Sequence, residues 1–177
     1  MRLRLWLPAL LCLSMTACPY GSPVPVDAPE RGAVDGRLLG GWTQTGESAG
    51  SFAEIEFSDF NGREYYAEVR SHEPFRPVET ERYRVFSSQA QGRTLLNCRK
   101  LSSQKGGEAY FLASYEFKDA DTAAFSFVSD EAMKAAGKIE SSQGLRRFLE
   151  RHLKDKGFFE PGFVLKRRGD GPSPARP

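Results

Sequence analysis

The chain has 177 residues, with 25 Lys and Arg against 23 Asp and Glu, 13 Phe and three Cys. A near-neutral balance without a clustered basic face excludes a nucleic-acid partner. The length suits one domain.

Arg2 and Arg4 precede an apolar run from Leu5 to Leu13, and Met15-Thr16-Ala17-Cys18 follows. A basic flank, an apolar stretch and a small-residue cleavage site together read as a secretory signal. The run is shorter than the ~20 residues a spanning helix needs, and Pro8 interrupts it. The string ending in Ala17-Cys18 resembles the lipobox of bacterial lipoproteins, with Met15 where that family prefers Leu. The resemblance implies removal of residues 1–17, a diacylglyceryl thioether and an acylated amine on Cys18, and anchoring in a membrane of the cell envelope. Two acyl chains already hold a protein stably at ~0.8 kcal/mol per buried CH₂. Pro19 after the cysteine implies the outer membrane, facing the periplasm. The alternative is an ordinary secretory signal cleaved after Ala17, leaving Cys18 as a thiol. Removing seventeen of 177 residues leaves 160. Cys12 departs with the signal, so Cys98 has no partner for an internal disulfide if Cys18 is lipidated. Cys98 reads as a buried structural thiol.

Residues 18–36 carry Pro19, Pro23, Pro25 and Pro29 with little apolar content, and predict a disordered tether between lipid and domain. The folded domain is placed at 37–168, with a disordered tail at 169–177. Leu39-Gly40-Gly41-Trp42 reads as the first strand. Ala53, Ile55 and Phe57 then alternate with Glu54 and Glu56. Asn61-Gly62 signals a hairpin into a strand from Glu64 to Arg70, with Tyr65, Ala67 and Val69 on one side. Pro74 and Pro77 break the pattern. Tyr83 and Val85 alternate again, Thr94–Arg99 reads as a short strand, and Lys105-Gly106-Gly107 turns the chain. Phe111, Ala113, Tyr115 and Phe117 then share one face of a long strand, and Phe125 and Phe127 one face of the next. Asp130–Lys138 reads as a short helix ending at Gly137. Ser141 or Ser142 caps a second helix whose face is Leu145, Phe148, Leu149 and Leu153, with Gly157 as its stop. Phe163-Val164-Leu165 is a last strand.

The pattern predicts a mainly β fold: an antiparallel meander or barrel of about eight strands, with one or two helices near the C-terminus. A last strand pairing with the first would close it and remove exposed edges. Leader, lipobox, Pro-rich segment and Leu38-Leu39-Gly40-Gly41-Trp42 resemble lipocalin-like bacterial lipoproteins. The Leu95-Leu96-Asn97 strand and the late helix resemble an uncharacterised lipoprotein group of the same shape. The resemblance implies that Trp42 closes one barrel end.

No residue constellation predicts catalysis or a cofactor. Gly46-Glu47-Ser48-Ala49-Gly50 has the spacing of a hydrolase elbow, but it leads into a strand where that motif needs a helix. His72 and His152 lack a second His or Cys at metal-ligand spacing. Glu54 and Glu56 share the solvent face of a strand, Asp119 and Asp121 share a turn, and Lys166-Arg167-Arg168 reads as a solvated terminus. The aromatics carry the functional expectation. Tyr65, Tyr83, Phe111, Tyr115, Phe125 and Phe127 point inward and are the candidate ligand-binding residues. They either fill a small barrel or line a cup within it. Two readings follow: a module that binds a small apolar or amphipathic ligand, and a solid accessory barrel that binds an envelope protein. Ala53, Ala67 and Ala113 leave room among the aromatics and lean toward the first.

Overall fold

The computed structural model describes residues 21–45, 50–101 and 109–169. The expected signal segment, Cys18, Gly46–Ala49 of the elbow-like string, the expected Lys105-Gly106-Gly107 turn and the expected tail from Asp170 lie outside the described residues.

Eight antiparallel strands follow one another around a closed barrel. They are β1 Gly40–Thr45, β2 Phe52–Asp59, β3 Glu64–His72, β4 Glu79–Ala90, β5 Arg93–Lys100, β6 Tyr110–Phe117, β7 Thr122–Val128 and β8 Phe159–Arg167. Two helices, α1 Asp130–Ala135 and α2 Ser142–His152, lie between β7 and β8. The last strand does pair with the first, through Trp42–Arg167 and Thr43–Lys166.

Local chemistry accounts for the joints. At the β2–β3 turn Asp59 accepts from the Gly62 amide at 2.6 Å, and Asn61 accepts from the amides of Arg63 and Glu64 at 3.0 and 2.9 Å. Asn61-Gly62 thus closes a four-residue loop, not a two-residue turn. The two-residue turn is at β4–β5, where Gln91 (φ 48°) and Gly92 (φ 78°) both take the left-handed conformation that matches strand twist. Ser129 caps α1 and Ser141 caps α2, each hydroxyl accepting from an amide at 3.1 Å. The second helix ends at His152, short of the Gly157 stop, with Leu153 as its C-cap.

Residues 21–36 are not a free tether. Ser22 exchanges both backbone hydrogen bonds with Tyr110, at 2.9 and 2.7 Å. Val26 is buried, and its amide donates to Asn97 Oδ1 at 2.8 Å. Asp27 pairs with Arg146 of α2. A single 3-10 turn follows at Pro29–Arg31, and Ala33 exchanges hydrogen bonds with the Ser87 hydroxyl. Val34 and Leu38 then reach the barrel interior. The prolines that read as disorder instead preset an extended backbone, and Val26 buries enough apolar surface to hold it down. The segment is a strap from the β6 start to the barrel end where β1 begins.

This creates two apolar cores. One fills the barrel and includes Trp42, Ile55, Phe57, Tyr65, Phe125 and Leu165. The other lies outside the wall, where Val26, Met133, Leu145 and Leu149 cover Leu95 of β5 and Leu112 of β6. The C-terminal cations also belong to the fold. Arg167 lies over the Trp42 ring, and Arg168 bonds Glu54 and Glu56 at 3.3 and 3.0 Å. The expectation of a solvated basic terminus is therefore corrected for these two residues.

Candidate functional site: a half-filled barrel

The barrel has two unlike ends. At the end where β1 begins, the strap enters and closes it. Asp35 receives a bidentate pair from Arg37 at 3.0 and 2.7 Å and a hydrogen bond from the Tyr115 hydroxyl at 3.1 Å. Its amide donates to the Tyr65 hydroxyl. The Arg37 hydrogen bond, against the opposing effect of burial, holds the Asp35 carboxyl below its ordinary value. Burial pushes the Tyr65 phenol up to about 12 and raises that of Tyr115 as well. Trp42 donates to the Leu38 carbonyl at 2.8 Å and is fully buried.

Above this closed end the inner face forms a floor. Every strand contributes a buried inward residue: Trp42, Ile55, Ala67, Val85, Leu96, Ala113, Phe125 and Leu165. The next inward residue on each strand, two positions toward the opposite end, is only partly buried: Gln44, Ala53, Val69, Tyr83, Cys98, Phe111, Phe127 and Phe163. The change comes on all eight strands, stepped with the stagger of the barrel: Val69 pairs with Ile55, Tyr83 with Ala67 and Cys98 with Val85. These eight side chains ring the open end above the floor as a cup-shaped layer, and five of them, Val69, Tyr83, Cys98, Phe127 and Phe163, pack against the core.

The cup is apolar with a polar rim on one side. The Tyr83 hydroxyl donates to Glu81, and Lys100 pairs with the same carboxylate. Burial alone would raise the Glu81 carboxyl, but the hydrogen bonds from Lys100 and Tyr83 outweigh it and leave it below the ordinary value. Burial, and then the hydrogen bond to Glu81, pushes the Tyr83 phenol upward. Burial likewise pushes the Cys98 thiol up to about 12, which leaves it protonated and a poor nucleophile at neutral pH. A concave apolar wall with a few fixed polar groups is the form of a small-ligand site.

The six sequence candidates divide between these layers. Tyr83, Phe111 and Phe127 line the cup. Phe125 is buried in the floor, and Tyr65 and Tyr115 are bound to Asp35 at the closed end. Ala67 and Ala113 leave no space, since both are buried among larger neighbours; Ala53 does face the open layer. Gln44, Val69, Cys98 and Phe163 were not singled out. Inward parity alone could have found Val69 and Phe163, but only the cross-strand register fixes their level.

An open cleft of about 560 Å³ lies outside the barrel between Gln91–Arg93, Leu153–Asp155, Gly157 and Phe159. Its walls are a turn and a helix end carrying Arg93, Lys154 and Asp155, without the layered apolar lining of the cup. Compared with family models, with curated proteins and with solved structures, the chain matches none.

Proposed function

We propose that this is a lipid-anchored envelope protein whose barrel binds a small apolar or amphipathic ligand. The observation that carries the reading is the simultaneous change from buried to partly exposed on the inner face of all eight strands. An acyl chain or ring system would lie against Ala53, Val69, Phe111, Phe127 and Phe163. A polar head would meet Tyr83, Glu81 and Lys100 at the rim. Placement at the membrane rests on the Cys18 lipobox, and the outer membrane facing the periplasm is the compartment it favours. The second reading is a solid accessory barrel that binds an envelope protein, and the packing of Val69, Tyr83, Cys98, Phe127 and Phe163 against the core favours it.

The test is mass spectrometry of small molecules that co-purify with the full mature chain, joined to a thermal-shift screen. One lipid or amphiphile recovered repeatedly, and raising the melting temperature, supports binding. No bound molecule and no shift, with a specific envelope protein captured by crosslinking, would favour the accessory role.

A further inference from the structure

The strap and the cup together point to an orientation. Gly21 sits against Ala109: a Cβ placed on Gly21 would come 2.2 Å from the Ala109 Cβ. Ala109 immediately precedes β6, at the open end of the barrel, because β6 runs from the mouth to the closed end. Cys18 is three residues upstream of Gly21, a reach of about 11 Å at full extension. A free segment over 18–36 would instead wander about 25 Å and allow any orientation. The strap removes that freedom from Gly21 onward and fixes Gly21 beside the mouth.

The apolar surface is arranged accordingly. The large apolar side chains most exposed among the described residues are Phe52, Phe60, Phe75, Val78, Leu101 and Val164. Phe60, at the closed end, is half exposed with the Arg84 guanidinium on one side, 3.5 Å from its ring centre, and Val164 is on the outer wall of β8. Phe52, Phe75, Val78 and Leu101 are all at the mouth, on β2's first residue, the β3–β4 connection and the residue after β5. Phe75 is fully exposed and also left-handed, at φ 63°, a conformation costly for a bulky side chain. A strained turn, with Glu73 and Arg76 paired across it at 3.0 Å, therefore holds a phenyl ring out into the surroundings.

We propose that the lipid on Cys18 holds the barrel mouth-down on its own membrane, with Phe75 and Val78 in the headgroup–acyl boundary, so that the cup takes an acyl-chain lipid from that leaflet. This rests on the binding reading above and adds the source of the ligand.

The experiment uses full-length lipidated chain in vesicles of three parts phosphatidylethanolamine to one part phosphatidylglycerol, in a Cys98→Ala background. Single cysteines at Phe75, Val78, Asn61 and Asp119 carry a bimane label. With brominated acyl chains, labels at Phe75 and Val78 lose emission and those at Asn61 and Asp119, roughly 20 Å away at the closed end, keep it. Equal quenching at both ends, or quenching at the closed end alone, overturns the orientation, as does an intact mass without lipid on Cys18. In parallel, Phe75→Asp with Val78→Asp slows uptake of a fluorescent phosphatidylethanolamine from the vesicles. Asp tolerates the left-handed turn, so the fold survives. Unchanged uptake overturns the leaflet as source. Binding of the neutral dye N-phenyl-1-naphthylamine reads the cup separately. Dye bound while the mouth labels stay in water overturns the orientation alone. Mouth labels in the bilayer with no dye bound overturns the cup and, with it, lipid uptake.

Discussion

The Arg167 guanidinium lies 4.2 Å from the centre of the Trp42 ring, and the two residues are register partners across the strand pair that closes the barrel. Arg167 also donates to the carbonyls of Leu39 and Arg37 at 3.0 and 2.6 Å. The β1–β8 seam has two register pairs against six between β1 and β2, so side-chain anchors matter more here than at the other seams. Arg167→Ala should cost about 2–4 kcal/mol, combining a desolvated cation–π contact with charged hydrogen bonds. Arg167→Lys should recover less than half, because an ammonium neither stacks flat nor reaches both carbonyls. Urea midpoints decide this; a loss below about 1 kcal/mol for the alanine variant would mean that the seam does not depend on Arg167.

Asn97 fastens the strap. It is fully buried on the outer face of β5, accepts from the Val26 amide and donates to the Phe86 carbonyl at 3.2 Å and the Ser88 hydroxyl at 2.9 Å. Asn97→Ala leaves those partners unpaired and should cost about 2–3 kcal/mol. The loss should be local first. Amide exchange at Val26 should accelerate well before that of β2 and β3. Uniform acceleration across the barrel would show instead that strap and barrel open as one unit.

Asp27 makes the strap acid-sensitive. Burial raises its carboxyl, but hydrogen bonds from Arg146 and Ser88, with the Arg146 charge, more than compensate, and the folded value lies below the ordinary one. A lowered folded value means stability that is present above the unfolded carboxylate pKa and disappears as pH falls through the folded value. The Asp27–Arg146 pair should therefore contribute at neutral pH and fade below about pH 4. Asp27→Asn should cost about 1–3 kcal/mol at pH 7 and progressively less as pH falls below about 4. Denaturant midpoints of both proteins across that range test it; parallel curves would remove the pair from the acid response.

The barrel was legible from period two because one face of each strand is buried and the other wet, as Ile55 and Phe57 against Glu54 and Glu56 display. The cap of α2 was legible because a serine hydroxyl acts locally, whereas Ser129 ahead of α1 was passed over. The strap was not, since Pro23, Pro25 and Pro29 serve an extended docked segment as well as a free one. What decides is Asn97, 71 residues from Val26. Arg167 and Arg168 were misread for the same reason: their partners, Trp42, Glu54 and Glu56, are on strands distant in sequence. The division of the aromatics between floor and cup required the level of each residue in the barrel. Alternation gives the face but not the level.

That level predicts opposite outcomes for two similar substitutions. Ala53 and Ala67 both point inward, on neighbouring strands. Ala67 is buried in the floor, where the rings of Trp42, Phe57 and Tyr65 share its core. Ala67→Trp would insert a bicyclic ring into filled space, where overpacking costs typically 1–3 kcal/mol and here should exceed that range. Ala53 faces the partly open layer, so Ala53→Trp should leave stability within about 1 kcal/mol of the parent while occupying the ligand's volume. It should weaken N-phenyl-1-naphthylamine binding at least tenfold, about 1.4 kcal/mol. Thermal unfolding and a dye titration on both variants give the four values needed. If Ala53→Trp unfolds the barrel as Ala67→Trp does, the upper layer is as full as the floor. If it folds and binds dye unchanged, the dye lies elsewhere than the cup.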